Sequence, residues 1–135
     1  MTARATGPFE VKLAPQPLSD VAAESGLGRL SLDKVFRGDL EATSRGEMLS
    51  AMGGVQGSAG YVVLERVRGT LHGRHGTFAL QHSGTMARGA PSLSVTVVPD
   101  SGTEQLEGLA GSMDIVIDGR AHSYVFDYTL PDRIT

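Results

Sequence analysis

The sequence contains no cysteine, no tryptophan and no asparagine, and aromatic residues make up only 5% of it. Without cysteine there is no disulfide framework, thiolate metal site or thiol nucleophile. No apolar run approaches the roughly 18 residues of a membrane-spanning helix. The stretch Met1–Glu10 lacks the charged-then-apolar order of a signal peptide. The 12 basic and 15 acidic residues leave a net charge of -3, and the basic ones come no closer to a cluster than Arg66 and Arg68. That distribution excludes the basic stripe a nucleic-acid footprint requires. A soluble, cytoplasmic protein with neither nucleic-acid nor membrane partners is expected.

What the chain does have is glycine. Eighteen glycines in 135 residues is roughly twice average usage, and the length suits one compact domain. The segment from Ala14 to Arg29 holds Pro15, Pro17, Gly26 and Gly28 and reads as a long connection with one helical turn at Asp20–Glu24. Elsewhere, short β-type runs alternate with glycine turns at spacings of about 8–12 residues, as in a sandwich or barrel. The expected strands are Phe9–Leu13, Leu30–Leu40, Glu47–Met52, Gly60–Leu71, Thr77–Ser83, Ser92–Val98, Leu109–Ile117 and Ala121–Leu130. In Leu93–Val97 apolar and hydroxyl residues alternate, giving one dry and one wet face. Asp118-Gly119 signals a hairpin leading into His122, Tyr124, Phe126, Tyr128 and Leu130 on one parity. A one-faced antiparallel sheet packs on a second sheet or closes on itself, and a glycine-rich chain without helical periodicity favours closure. The expected fold is all-β, an eight-stranded antiparallel barrel with a central cavity.

The most informative stretch is Gly60 to Gly84. With Arg74 and His75 as the two loop residues between Gly73 and Gly76, paired residue numbers sum to 149, so Leu71 faces Phe78 and Val67 faces His82. Tyr61, Val63, Glu65, Val67 and Leu71 then share a face with Phe78, Leu80 and His82. Glu65 is a diagonal neighbour of His82, roughly 7–8 Å away between backbones and within reach of a long side chain. A carboxylate and an imidazole on an apolar face form a candidate catalytic pair. Burial drives both toward neutrality and mutual pairing drives both toward charge, which can hold a proton donor or base near neutral pH. The same two residues equally satisfy each other and specify strand register. A three-residue turn would flip the parity and separate them.

Other motifs carry less. Gly54–Gly60 looks like a phosphate loop, but no Lys-Ser/Thr and no helix follows. His72 and His75 lie on a hairpin turn without nearby ligands. His82-Ser83-Gly84 lacks the first glycine of a nucleophile elbow. Asp100, Glu104 and Glu107 do not match a calcium loop and read as a solvated turn. No metal or cofactor is expected. In Glu47–Met52, Met48 and Ser50 share a face that can line a pocket.

The runs Gly46-Glu47-Met48-Leu49, Gly57-Ser58-Ala59-Gly60-Tyr61, Leu80-Gln81-His82-Ser83-Gly84-Thr85-Met86, Val97-Val98-Pro99-Asp100-Ser101-Gly102-Thr103 and Gly108-Leu109-Ala110-Gly111-Ser112-Met113 resemble the bacterial domain-of-unknown-function family 3224, from about Phe9 to Leu130. The resemblance implies an allene-oxide-cyclase-type barrel around a cavity, usually in an oligomer. The plant cyclase's own motifs are missing, so none of its catalytic residues carries over. The expected partners are an apolar or aromatic small molecule and further copies of the chain. The expected function is ligand binding with cofactor-free isomerisation, cyclisation or elimination. In it Glu65 is the general base or acid, His82 its partner, and Tyr61, Val63, Val67, Leu80, Tyr124, Phe126, Met48 and Ser50 line the pocket. The alternatives are a non-catalytic carrier or sensor of a hydrophobic molecule, and a fully packed structural module.

Overall fold

The computed structural model describes residues 2–131. Eight strands form a closed barrel in sequence order. They are β1 (Thr2–Pro15), β2 (Leu27–Phe36), β3 (Leu40–Met52), β4 (Ala59–Leu71), β5 (Arg74–Ala87), β6 (Ala90–Val97), β7 (Ala110–Asp118) and β8 (Ala121–Thr129). Every neighbouring pair is antiparallel, and β1 closes the barrel because Phe9 pairs with Phe36 of β2 on one side and His122 of β8 on the other. The single α-helix among the described residues, α1 (Asp20–Glu24), lies in the β1–β2 connection where one helical turn was expected, and the Ser19 hydroxyl caps it by accepting from the Ala22 amide.

Alternation decides which residues form the interior. Along β4 the odd residues Val63, Glu65 and Val67 are buried and the even ones exposed, while along β5 Phe78, Leu80 and His82 face inward. One half of the barrel is filled by Phe36, Leu40, Val67, Leu71, Phe78, Leu80, Tyr124 and Phe126, all essentially inaccessible. Its end is plugged by the β6–β7 connection, where a short 3₁₀ turn at Glu104–Leu106 drives Leu106 into the barrel beside Leu109. Asp100 and Glu104 of that connection stay exposed, so its acidic residues sit on a turn whose apolar side is a structural plug.

The structure corrects two expectations. The β2–β3 turn is Arg37–Asp39, with Gly38 at φ +91, so β2 stops at Phe36 and β3 starts at Leu40, where one strand had been drawn through Leu40. The β4–β5 loop is His72-Gly73, not Arg74-His75. His72 at φ +46 and Gly73 at φ +81 both adopt the left-handed region that a two-residue type I′ hairpin requires, and histidine is among the side chains that enter it most readily. Paired numbers therefore sum to 145, as in Val67–Phe78 and Val63–His82. The difference from 149 is even, so every side chain keeps its face.

Candidate functional site

Midway along the barrel the apolar interior is interrupted by four polar side chains from consecutive strands. Lys34 is on β2, Ser44 on β3, Glu65 on β4 and His82 on β5, and all four are buried. Lys34 pairs with Ser44, Gly46 with Glu65, and Val63 with His82, so the four form a diagonal around one wall. The Glu65 carboxylate collects them. Its Oε1 accepts from the Ser44 hydroxyl at 2.7 Å, and its Oε2 accepts from Lys34 Nζ at 2.8 Å and from His82 Nε2 at 2.6 Å. Lys34 Nζ also lies 5.4 Å from the Phe9 ring centroid and 5.8 Å from that of Phe36, favourable ground for a buried ammonium.

Gly46 makes this convergence possible. A Cβ there would stand 2.2 Å from the Leu64 carbonyl oxygen and 2.7 Å from Glu65 Cα, closing the path by which Glu65 crosses β3 to reach β2. Gly46→Ala is expected to lose about 1–3 kcal/mol of stability through overpacking, read as a lowered midpoint in denaturant unfolding. An unchanged midpoint would show that the wall yields.

The electrostatics follow from the contacts. Burial pushes the Glu65 carboxyl up, but the hydrogen bond from His82, the charges of Lys34 and His82 and the bond from Lys34 outweigh it and hold the group at about 2. Glu65 is thus ionised, its side chain is 0% exposed, and both oxygens are occupied. An ionised carboxylate only accepts, so His82 Nε2 carries the shared hydrogen. No fully buried side-chain nitrogen or oxygen among the described residues lacks a partner. His82 Nδ1, on a side chain only 5% exposed, has no hydrogen-bond partner among the described residues. In the neutral ring it holds a free lone pair.

Beyond this diagonal the inward-facing residues become progressively accessible. Tyr61, Met48, Ser50 and Leu30 are half-buried. The strands β6 and β7 are joined only at Thr96–Ser112, and past that point Leu93 and Ile117, both on the inward parity, are 41% and 64% exposed. The Tyr61 ring lies directly over Gly84, where a Cβ would fall 2.3 Å from the tyrosine Cζ. The inward-facing side chains are therefore buried toward the plugged end and progressively more exposed toward the other, with His82, itself 4% exposed, between them.

Among the expected site residues, Glu65 and His82 are in contact. Val63, Tyr61, Met48 and Ser50 stand toward the more exposed end, whereas Val67, Leu80, Tyr124 and Phe126 belong to the packed core. The Tyr124 hydroxyl is committed to the β2–β3 turn, accepting from the Leu40 amide at 2.8 Å and donating to the Arg37 carbonyl at 2.7 Å.

A family model described as proteins of unknown function, DUF3224, matches residues 5–128. The chain belongs to this family. A solved DUF3224 protein of unknown function from Shewanella oneidensis MR-1 is 47% identical, with a TM-score of 0.89, covering 98% of this chain and 100% of the other. None of the curated proteins matches.

Sequence reasoning missed two members of this DUF3224 site, Lys34 and Ser44. Lys34 was visible in principle, since one of only two lysines interrupts the inward row Leu30, Leu32, Phe36. Ser44 gives no such signal among the other hydroxyls. Among the described residues no group of three or more histidine, aspartate or glutamate side chains converges as a metal ion would require. His72, on the turn at the plugged end, has its Nδ1 2.5 Å from the Tyr128 hydroxyl and is a local brace.

Proposed function

We propose that this protein is a cytoplasmic barrel that binds an apolar or aromatic small molecule through its open end and performs cofactor-free proton transfer on it, by isomerisation, cyclisation or elimination. The observation that carries this reading is the buried 2.6 Å contact between His82 Nε2 and the Glu65 carboxylate, on the inward face of the barrel. The geometry favours an exchange of the roles expected from sequence. A carboxyl at about 2 is a weak base, and Glu65 has no oxygen to spare. His82 is the proton acceptor, and Glu65 is a positioning residue that fixes its tautomer, as carboxylates do for catalytic imidazoles. Lys34 and Ser44 keep the carboxylate ionised and immobile. Val63, Tyr61 and Met48 supply apolar walls that exclude water from a bound ligand, and Ser50 a hydroxyl near the rim. The resemblance to allene-oxide-cyclase-type barrels, which shape flexible apolar substrates, supports the same reading by analogy.

The test is base-promoted elimination of an activated aromatic, a reaction needing only a positioned base. His82→Gln retains an N–H donor toward Glu65 and removes the basic nitrogen, so turnover is expected to fall about a hundredfold. Turnover equal to wild type removes His82 from the chemistry. The carrier or sensor reading is favoured by one specific observation, the complete pairing of the buried side-chain polar atoms among the described residues, which is what register specification needs. A hydrophobic molecule that co-purifies unchanged, together with no turnover above buffer, decides for it.

A further inference from the structure

Closing a barrel removes strand edges, yet this barrel keeps two of them along one seam. Strand β6 meets β7 only at Thr96–Ser112. By contrast, β5–β6 pairs run without a break from Leu80–Val97 to Ala87–Ala90, and β7–β8 pairs from Ala110–Thr129 to Asp118–Ala121. Beyond the single bridge, Ala90–Val95 has a sheet neighbour only in β5, and Met113–Asp118 only in β8. On its far side β8 loses β1 after the Phe9–His122 pair, because β1 continues to Pro15 with β2 alone. The hairpin end beyond Ile117–His122 thus has no strand on either side, and an isolated two-stranded ribbon has little stability of its own. The sequence also keeps the seam from zipping. Extending the Thr96–Ser112 register would set Pro91 against Ile117, and proline has no N–H to give to a ladder.

The two lips of the seam differ. The β5–β6 turn is pinned to the β3–β4 loop, since the Arg88 amide donates to the Ser58 hydroxyl and the Gly89 amide to the Gly57 carbonyl, both at 2.9 Å. The β7–β8 turn, Asp118-Gly119-Arg120, has no such tie among the described residues. Exposure rises along the slit. The inward-facing Val95 and Met113, beside the bridge, are 2% and 3% exposed, whereas Leu93 and Ile117 further along are 41% and 64% exposed. The inner face of the loose lip leads to the polar diagonal. His122, paired with Ile117, has its ring 5.4 Å from that of Phe9, which in turn lies 5.4 Å from Lys34 Nζ.

We propose that the β7–β8 hairpin end is a flap hinged beside the Thr96–Ser112 bridge, and that the slit between it and β6 is the door through which an apolar molecule enters the barrel. The inference rests on the ligand-binding reading above and adds the route and the moving part. The flap swings because only β8 and the near end of β1 hold it, while the β6 lip stays fixed. An apolar molecule inside the slit gives Leu93 and Ile117 the cover they lack in the free protein, and that burial favours closure behind it.

The chain has no cysteine, so paired cysteine substitutions report on the flap without background. Ser94→Cys with Asp114→Cys sets two thiols opposite each other in the extended register, and a disulfide joins them only if their Cα atoms come within about 7 Å. The disulfide is expected to form within one chain and to lock the flap shut. Uptake of anilinonaphthalene sulfonate, followed by stopped-flow fluorescence, should then slow at least about tenfold, since only open molecules admit the dye. Reduction should restore the parent rate. All chains carry Leu64→Glu, so that dye held on the exposed outer residues Val62 and Leu64 does not contribute. Val116→Cys with Ser123→Cys, a pair within the hairpin, cross-links the flap without tying it to β6 and should leave uptake unchanged. A first pair that never joins shows that the flap does not reach β6 and overturns the proposal. So does uptake indifferent to that lock, or slowed equally by the second pair, and in those cases ligand binding itself stands. A parent chain that takes up no dye removes the binding reading, and the door with it.

Discussion

Glu65→Gln is expected to cost about 3–5 kcal/mol of folding stability, the usual loss when one partner of a buried ion pair is removed. The reason lies in what is left behind. Lys34 Nζ stands 2.8 Å from the carboxylate on a side chain 6% exposed. Without the anion its charge faces the rings of Phe9 and Phe36, whose attraction is about 2 kcal/mol at best. The remedy follows from the same logic. Adding Lys34→Met to Glu65→Gln replaces the pair by an apolar and a neutral side chain, and buried pairs so replaced are often matched or exceeded in stability. Most of the loss should therefore return in the double variant. Denaturant unfolding of the wild type, both singles and the double gives the coupling energy directly. A single variant losing less than about 1 kcal/mol, or a double no better than Glu65→Gln alone, would show that the ammonium finds another partner. Activity bears on this choice too. Only the double variant, if it folds as well as wild type, shows what the carboxylate does for His82 apart from what it does for the barrel.

The architecture was legible because it rests on local signals. Alternation in Leu93–Val97 and the turn glycines mark strands wherever they occur, and eight strands in antiparallel order leave closure as the simplest way to remove the edges. The Glu65–His82 contact survived an incorrect loop for a definite reason. Moving the turn from Arg74-His75 to His72-Gly73 slides the register by an even number, and parity is all that the shared face depends on. Lys34 and Ser44 needed more than parity. Their approach to Glu65 depends on β2 and β3 lying beside β4, and on Gly46 leaving the path open. The expected β2–β3 boundary, drawn through the Arg37–Asp39 turn, placed Ser44 in a loop. The packed half of the barrel was equally hidden. Tyr124 and Phe126 belong to a core, and not to a pocket, because they pack on Phe36, Phe78 and Tyr128, in a cluster that also takes in Leu106, which a turn rich in Gly, Ser and acidic residues gave no reason to place inside.

Acid should dismantle the stability that Glu65 provides, in a window set by its own two pKa values. The carboxyl is held at about 2 in the folded protein against 4.5 for the free group. Between those values the unfolded chain binds a proton that the folded chain refuses, so stability falls as pH falls. The contribution is complete above about pH 5 and is lost progressively toward about pH 2. A displacement of that size corresponds to about 3 kcal/mol. Asp127 and Glu47 are also held low, chiefly by hydrogen bonds from Arg4 and Arg29, and they too lose those contacts when acid protonates them. Both lie at the surface, so salt separates them from Glu65. In high salt the exposed pairs contribute little, while the buried pair keeps its effect. Urea unfolding at several pH values in high salt should therefore show a steep loss in the wild type. The Lys34→Met/Glu65→Gln variant should lose less by about the Glu65 contribution, because position 65 then has nothing to titrate. Parallel curves for the two proteins would mean that the carboxyl is not held low, and His82 would then lack the fixed anion on which its role depends.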